Sequence, residues 1–309
     1  MHRICRTVGA LTLFAVAANA ASIMGNGAPY QEYKGFGGSF NIPYMSKKPT
    51  LDGKMAAGEW DGTLYTEWGP SDLAAWGATY GFVQNEPGAV RADGIMSQLL
   101  TSAQEDPSEG LTDLDSYSRL WAGWDEEYFY EAFKVSDSVY DVTGTQDAGF
   151  WERDGFFIQL DFGAGMNNFM LLAFSAMPTG SARYSIYGWF YERQEVHFYG
   201  DAPEDFLGTN SGFSLTDDGW LLETRASWAM MNKYIPDFVV KSGVEFGNCY
   251  HTLDPDGDEG FGGQFQFASG KNQGDPTEWA RWTLVGGPGV SATAVESSTW
   301  GNLKQILSE

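Results

Sequence analysis

The chain is 309 residues long, 43% hydrophobic and 16% aromatic, which is enough apolar material for a sizeable core and excludes a disordered or collagen-like chain. It carries 41 acidic against 18 basic residues, a formal charge of −23. That balance excludes a broad electrostatic grip on nucleic acid or anionic lipid and favours a neutral or cationic ligand.

Taken in chain order, the first feature is a leader. His2, Arg3 and Arg6 precede an apolar run from Val8 to Ala17, and Ala18-Asn19-Ala20 has the small-x-small cleavage pattern. A secretory signal peptide over 1–20, cut after Ala20, is expected, with a secreted, periplasmic or cell-surface product. The run is too short to span a bilayer, and no later stretch approaches about 18 consecutive apolar residues, so no membrane span is expected. Cleavage removes Cys5 and leaves Cys249 without an intrachain partner. An exported protein of this kind rests on its core and on bound cations, and Cys249 reads as buried and inert.

Residues 21–48 are rich in Gly, Ser, Asn and Tyr without a sustained period, the mark of an irregular leader that covers a sheet edge. From Pro49 to Val285, short apolar and aromatic runs alternate with Gly, Asp, Asn and Pro turns, which places one β domain at 49–286. Within it, 69–115 reads as a long loop insertion, with the polar stretch Gly94 to Glu105 as a short helix. In the next run Tyr128, Tyr130 and Ala132 point one way and Phe129, Phe133 and Val135 the other, with Glu131 the odd polar member. Similar strands are expected at Phe156 to Phe162, Phe169 to Ala176, Tyr184 to Tyr191, Trp220 to Ala226, Val244 to Tyr250 and Phe261 to Phe267. So many strands imply an all-β fold, a two-sheet antiparallel β-sandwich. A helical turn is expected after Trp228. The 287–309 tail carries a short C-terminal helix, with Thr299 as cap and Trp300, Leu303, Ile306 and Leu307 on one face, that either docks on the sandwich or serves secretion or surface attachment.

Acidic turns offer metal ligands. Asp254, Asp256 and Asp258 alternate around a turn, a geometry suited to Ca²⁺, which takes about six to eight oxygen ligands. The segment is not an EF-hand, because Glu259 and Phe265 stand where that loop needs Gly and Glu. An acidic, solvated hairpin is the alternative. His197 and His251 are the histidines outside the leader, with no zinc-ligand spacing, no Gly-x-Ser-x-Gly elbow, no P-loop and no dinucleotide fingerprint in a strand-to-helix setting. A glycosidase needs two carboxylates about 5–10 Å apart, and Glu152 with Asp154 is the pair that invites that reading, though such neighbours commonly hold loops or Ca²⁺.

Four ordered segments resemble the family 9 carbohydrate-binding modules. They are Pro49-Thr50-Leu51-Asp52-Gly53-Lys54 with Gly58-Glu59-Trp60; Trp124 to Tyr130 followed by Val135-Ser136-Asp137; Trp151-Glu152-Arg153-Asp154 leading into Gly155 to Asp161; and Gly219 to Glu223 followed by Ser227-Trp228. The resemblance implies an immunoglobulin-like or DOMON-like sandwich that clamps a sugar between two loop tryptophans. The first maps onto Trp151, beside Glu152 and Asp154. The second maps onto Trp279 or Trp282, with Trp279 favoured because Trp282 opens the last strand. It also implies a structural Ca²⁺, with Asp137 in its region. An indole suits a pyranose, whose C–H face stacks on a large rigid ring at small entropic cost. The chain departs from the family at Phe157, where sugar-binding members carry an acid, and along Phe169 to Ala173, which offers no basic residue at Leu171 or its neighbours. Either the sugar contacts lie elsewhere or this sandwich binds something else.

The sequence thus points to an exported, non-catalytic carbohydrate-binding protein that captures polysaccharide or oligosaccharide, with any glycoside hydrolase partner on a separate chain. The main competitor is a structural or cell-surface interaction sandwich. A haem-binding redox subunit, as in related DOMON-like sandwiches, is a weaker one, since the ten methionines are explained by packing and no Met–Lys pairing is visible.

Overall fold

Period-two patterning gives most strands one face of large apolar side chains, and the structure stacks two sheets on those faces. The computed structural model describes residues 38–75, 79–83, 86–91, 96–100, 116–140, 154–161, 168–177, 181–190, 195–197, 211–234, 238–253, 263–268, 270 and 276–288. The smaller sheet contains β2 (Leu64–Trp68), β6 (Tyr117–Trp124), β7 (Tyr128–Ser136), β12 (Ser211–Thr216) and β13 (Gly219–Ser227), in the order β12-β13-β7-β6-β2. The larger contains β1 (Ser39–Pro43), β3 (Thr79–Val83), β4 (Glu86–Val90), β5 (Met96–Leu100), β8 (Gly155–Asp161), β9 (Asn168–Met177), β10 (Ser181–Phe190), β11 (Glu195–His197), β14 (Glu245–Leu253), β15 (Gly263–Phe267) and β16 (Ala280–Val285). Its main path runs β11-β10-β9-β8-β14-β15-β5-β4-β3, with β16 also on β14 and β1 on β16. Two short helices, α1 (Pro70–Ala75) and α2 (Trp228–Tyr234), complete the described elements, and none of the described helices is long and apolar enough to cross a membrane. This is an all-β two-sheet sandwich.

Aromatic side chains fill the space between the sheets. Trp68 stacks on Phe267 at 4.4 Å between centroids and 11°, and Phe133 meets Phe156 at 3.8 Å. Burying each such side chain contributes about 1.5–3 kcal/mol. The alternation expected along β7 holds on both faces. Phe129, Phe133 and Val135 join the inter-sheet core, whereas Tyr130 and Ala132 form a second cluster with Met45 and Trp60 on the outer side.

Three sequence expectations change. The leader is not irregular throughout, since Ser39–Pro43 pairs in parallel with β16, with Phe40 stacked on Trp282 at 4.5 Å and Ile42 fully buried. A parallel partner far along the chain leaves no local signature. The segment 69–115 is not a simple loop insertion, because it supplies α1 and the strands β3, β4 and β5 that extend the larger sheet. Nor does the helix expected over Gly94 to Glu105 form at Met96–Leu100, which is a strand held between β4 and β15, where tertiary pairing overrides weak propensity. The signal peptide and the C-terminal helix lie outside the described residues.

Two of the family-like segments meet at one buried carboxylate. Glu223, fully buried on β13, accepts hydrogen bonds from the backbone N–H groups of Asp52 (3.2 Å), Gly53 (2.9 Å) and Lys54 (3.2 Å) and from Trp60 Nε1 (3.0 Å). Glu59 fastens the same loop through Thr50 N at 2.6 Å and Ala56 N at 3.0 Å. A third segment closes the β6–β7 turn. Asp125 Oδ1 accepts from the N–H groups of Glu127 (2.7 Å) and Tyr128 (2.8 Å), and Oδ2 accepts from the Tyr130 hydroxyl (2.8 Å). Trp228 Nε1, from the fourth segment, donates to the Asp125 carbonyl at 2.9 Å.

The Glu223-bound loop presses on β12 so closely that Gly212 has no room for a side chain. A Cβ there would stand 2.3 Å from Gly53 N and 2.7 Å from Asp52 N, and Gly53 itself holds a φ of +74°. Gly212→Ala is expected to cost about 2–3 kcal/mol, because backbone atoms must give way. Urea midpoints of the two proteins at one pH measure it, and an unchanged midpoint would contradict the close approach.

Candidate functional site

The face of the larger sheet turned away from the smaller one is polar yet dry. On β8, Phe156, Ile158 and Leu160 point to the core, leaving Phe157, Gln159 and Asp161 on the outer face. On β14, Tyr250 and Thr252 reach the smaller sheet through Glu131 and Ser118, so Cys249 and His251 point outward. Register then assembles rows. Phe157, His251 and Gln266 lie side by side across β8, β14 and β15; Gln159 lies beside Cys249; Asp161 lies beside Gly247, which lies beside Arg281. Successive rows are about 7 Å apart along the strands.

All of these side chains are buried, with Arg281 and Gln159 the most open of the polar ones at 6% exposure. Buried polar groups are retained where they are hydrogen-bonded or have a task, since each costs about 1–3 kcal/mol if left unmatched. The Cys249 thiol donates to Gln159 Oε1 at 3.3 Å and lies 3.6 Å from His251 Nε2. Burial pushes its pKa well above the ordinary value, so no thiolate nucleophile forms, in keeping with an inert cysteine. Gly247 makes space for the last row, since a Cβ there would stand 2.8 Å from Arg281 Nη1 and 3.3 Å from Asp161 Cβ. An amide pair, an imidazole, a carboxylate and a guanidinium are thus held in register as a buried polar grid.

Asp154, the one member of the Trp151, Glu152 and Asp154 group among the described residues, is buried at the start of β8, one residue before the rung that pairs Gly155 with Leu253. Trp151 and Glu152 lie outside the described residues, as do Asp254, Asp256 and Asp258. The chain leaves for both segments from that one rung, where β8 and β14 end together.

Trp279 and Trp282 are placed differently from the expectation. Both are fully buried, and Trp282 Nε1 donates to the Asn248 carbonyl at 2.9 Å. Neither presents an open indole face for a sugar to stack on. Its place just ahead of the final strand favours Trp279 in the sequence, but its ring is fully buried. Asp137 caps the end of β7, where its Oδ1 accepts from Val139 N at 2.8 Å and its N–H donates to the Asp218 carbonyl at 2.9 Å. No cluster of three or more His, Cys, Asp or Glu side chains suited to a metal ion occurs among the described residues.

Sequence reasoning missed Gln159, Asp161, Gln266 and Arg281. Alternation in Phe-Phe-Ile-Gln-Leu-Asp would have put the first two on the outer face, but their alignment with β15 and β16 depends on register.

No family model and no curated protein matches the chain. Among solved structures, it is similar to a family 9 carbohydrate-binding module from Caldicellulosiruptor kristjanssonii in complex with cellotriose, at 11% identity and a TM-score of 0.48, over 83% of this chain and 97% of that one. It is also similar to a family 9 module from the same organism in complex with glucose, at 12% identity and a TM-score of 0.44, over 82% and 99% of the two chains.

Proposed function

We propose that the protein is an exported, non-catalytic carbohydrate-binding protein that holds an oligosaccharide or polysaccharide chain at the end of its larger sheet where β8 begins and β14 ends. What supports this reading most is the rung that pairs Gly155 with Leu253, from which the chain continues both into the Trp151 segment and into the Asp254 turn. Trp151, on the segment that enters β8, supplies the stacking ring, with Glu152 and Asp154 beside it. Ca²⁺ at the Asp254, Asp256 and Asp258 turn steadies the segment that leaves β14. The partner of such a protein is the glycan, and any hydrolase it assists is a separate chain.

Tryptophan fluorescence of the purified protein, titrated with xylo-, cello-, manno- and pectic oligosaccharides with Ca²⁺ and with EDTA, tests this. A saturable change with one sugar class is expected. Trp151→Ala should abolish it. A folded protein that responds to no sugar would favour the interaction-sandwich alternative.

A further inference from the structure

The outer face of the smaller sheet carries a second constellation that the Glu223-bound loop leaves uncovered. Tyr65 and Glu67 on β2, Tyr117, Arg119 and Trp121 on β6 and Lys134 on β7 all point outward, and each is half-buried, in contrast to the buried inward neighbours Thr66, Trp68, Ser118 and Leu120. Register sets them in two rows, Tyr65 opposite Trp121 and, one row on, Glu67 opposite Arg119 opposite Lys134.

The first row is an aromatic platform. The Tyr65 and Trp121 rings lie 5.0 Å apart at 48°, and Trp121 is braced on its other side by the cluster around Trp60 and Ala132. A braced ring loses little entropy when a ligand stacks on it. The second row is polar and fixed. The Tyr65 hydroxyl donates to Glu67 Oε2 at 2.6 Å, Arg119 lies over the Tyr117 ring at 4.7 Å and donates to Ser136 Oγ at 3.3 Å, and Lys134 pairs with Asp218 at 3.0 Å. Lys134 is thus paired with Asp218, Glu67 stands opposite Arg119 in register, and the four charges sum to zero. In a chain of net charge −23, a patch this balanced is complementary to an uncharged partner and steers no ion.

We infer that this face is a second glycan-binding surface, which takes a neutral polysaccharide chain lying along β2 and β6, with sugar rings on Tyr65 and Trp121 and hydroxyls on Glu67 and Arg119. The inference rests on the reading of the protein as glycan-binding, but uses a different sheet and different residues. A pyranose suits the site because it combines an apolar C–H face with a rim of hydroxyls, the same division that separates the two rows.

Co-sedimentation of the full protein with insoluble cellulose and insoluble xylan, beside fluorescence titration with short soluble oligosaccharides, tests it. Trp121→Ala is expected to weaken sedimentation about tenfold, the loss typical of a central aromatic anchor. Glu67→Gln, which keeps the size and the acceptor for Tyr65, should weaken it several-fold without altering the urea midpoint. Trp151→Ala should abolish the soluble titration and leave much of the sedimentation. Wild-type sedimentation by both Trp121→Ala and Glu67→Gln overturns the second surface while leaving the first intact. Sedimentation that depends on Trp121, with no response to short sugars, removes the larger-sheet reading and keeps this one. A wild-type protein that sediments with neither polymer overturns the inference.

Discussion

Glu223→Ala is expected to lower the free energy of unfolding by about 3–5 kcal/mol, a loss at the upper end for a single truncation. The carboxylate is fully buried and is the common acceptor for the N–H groups of Asp52, Gly53 and Lys54 and for the Trp60 indole. Removing it strands buried donors, each of which costs about 1–3 kcal/mol when water cannot reach it. The loop from Pro49 to Thr63 then loses its anchor on β13, and Trp60 loses the bond that seats it over Tyr130 and Ala132. Glu223→Gln should recover only part of the loss, because an amide presents one acceptor and adds a donor facing other donors. Urea denaturation of the three proteins at pH 7 measures this. A Glu223→Ala stability within about 1 kcal/mol of wild type would mean that the loop finds other acceptors.

The same contact shows what the family-like segments encode. Pro49 to Lys54, Gly58 to Trp60, Trp124 to Tyr130 and Gly219 to Trp228 stand apart in sequence because each needs a specific residue type, and that requirement is architectural. Glu59, Asp125 and Glu223 are acceptors for loop N–H groups, and Trp60 and Trp228 are donors with large apolar bodies. Such motifs therefore mark the scaffold clearly and the ligand site poorly.

The strands are legible in the sequence because alternation is local. Phe129, Phe133 and Val135 against Tyr130 and Ala132 is a pattern that a single stretch reveals. What stays hidden depends on contacts between distant stretches. Phe40 and Ile42 form a strand only because β16 lies alongside, and Met96–Leu100 does so only between β4 and β15. Trp279 illustrates the same limit at the site. Its place before the last strand is visible in the sequence, but whether the ring is open or closed is decided by tertiary packing, which buries it. The outer row of Phe157, His251 and Gln266 likewise exists only once β8, β14 and β15 are in register.

Stability is expected to fall as the pH rises from about 5 to 9, and Glu131 is the cause of the fall. It is the odd polar member of the β7 alternation, and the structure places it in the inter-sheet core at 1% exposure, between Phe129 and Phe133 along its strand and Ala122 and Thr224 across it. The titratable group that faces it from the other sheet is Tyr250, whose hydroxyl donates to Glu131 Oε1 at 2.6 Å and accepts from Asn248 Nδ2 at 2.7 Å. Burial raises the Glu131 pKa from an ordinary 4.5 to about 8, and the Tyr250 hydrogen bond offsets only part of that rise. The folded protein thus keeps a proton that the unfolded chain releases near 4.5, so this contribution is full below the unfolded pKa and is lost as the pH climbs through the folded one. At about 1.4 kcal/mol per pH unit, the loss is about 3–5 kcal/mol between those limits. Glu131→Gln keeps the size, stays neutral at every pH and removes this share of the slope. Urea midpoints from about pH 5 to pH 9 should therefore find the variant close to wild type at the acid end and clearly more stable at the alkaline end. Parallel pH profiles for the two proteins would show that Glu131 already ionises in the folded state at neutral pH, which the closed apolar surroundings of the carboxyl argue against.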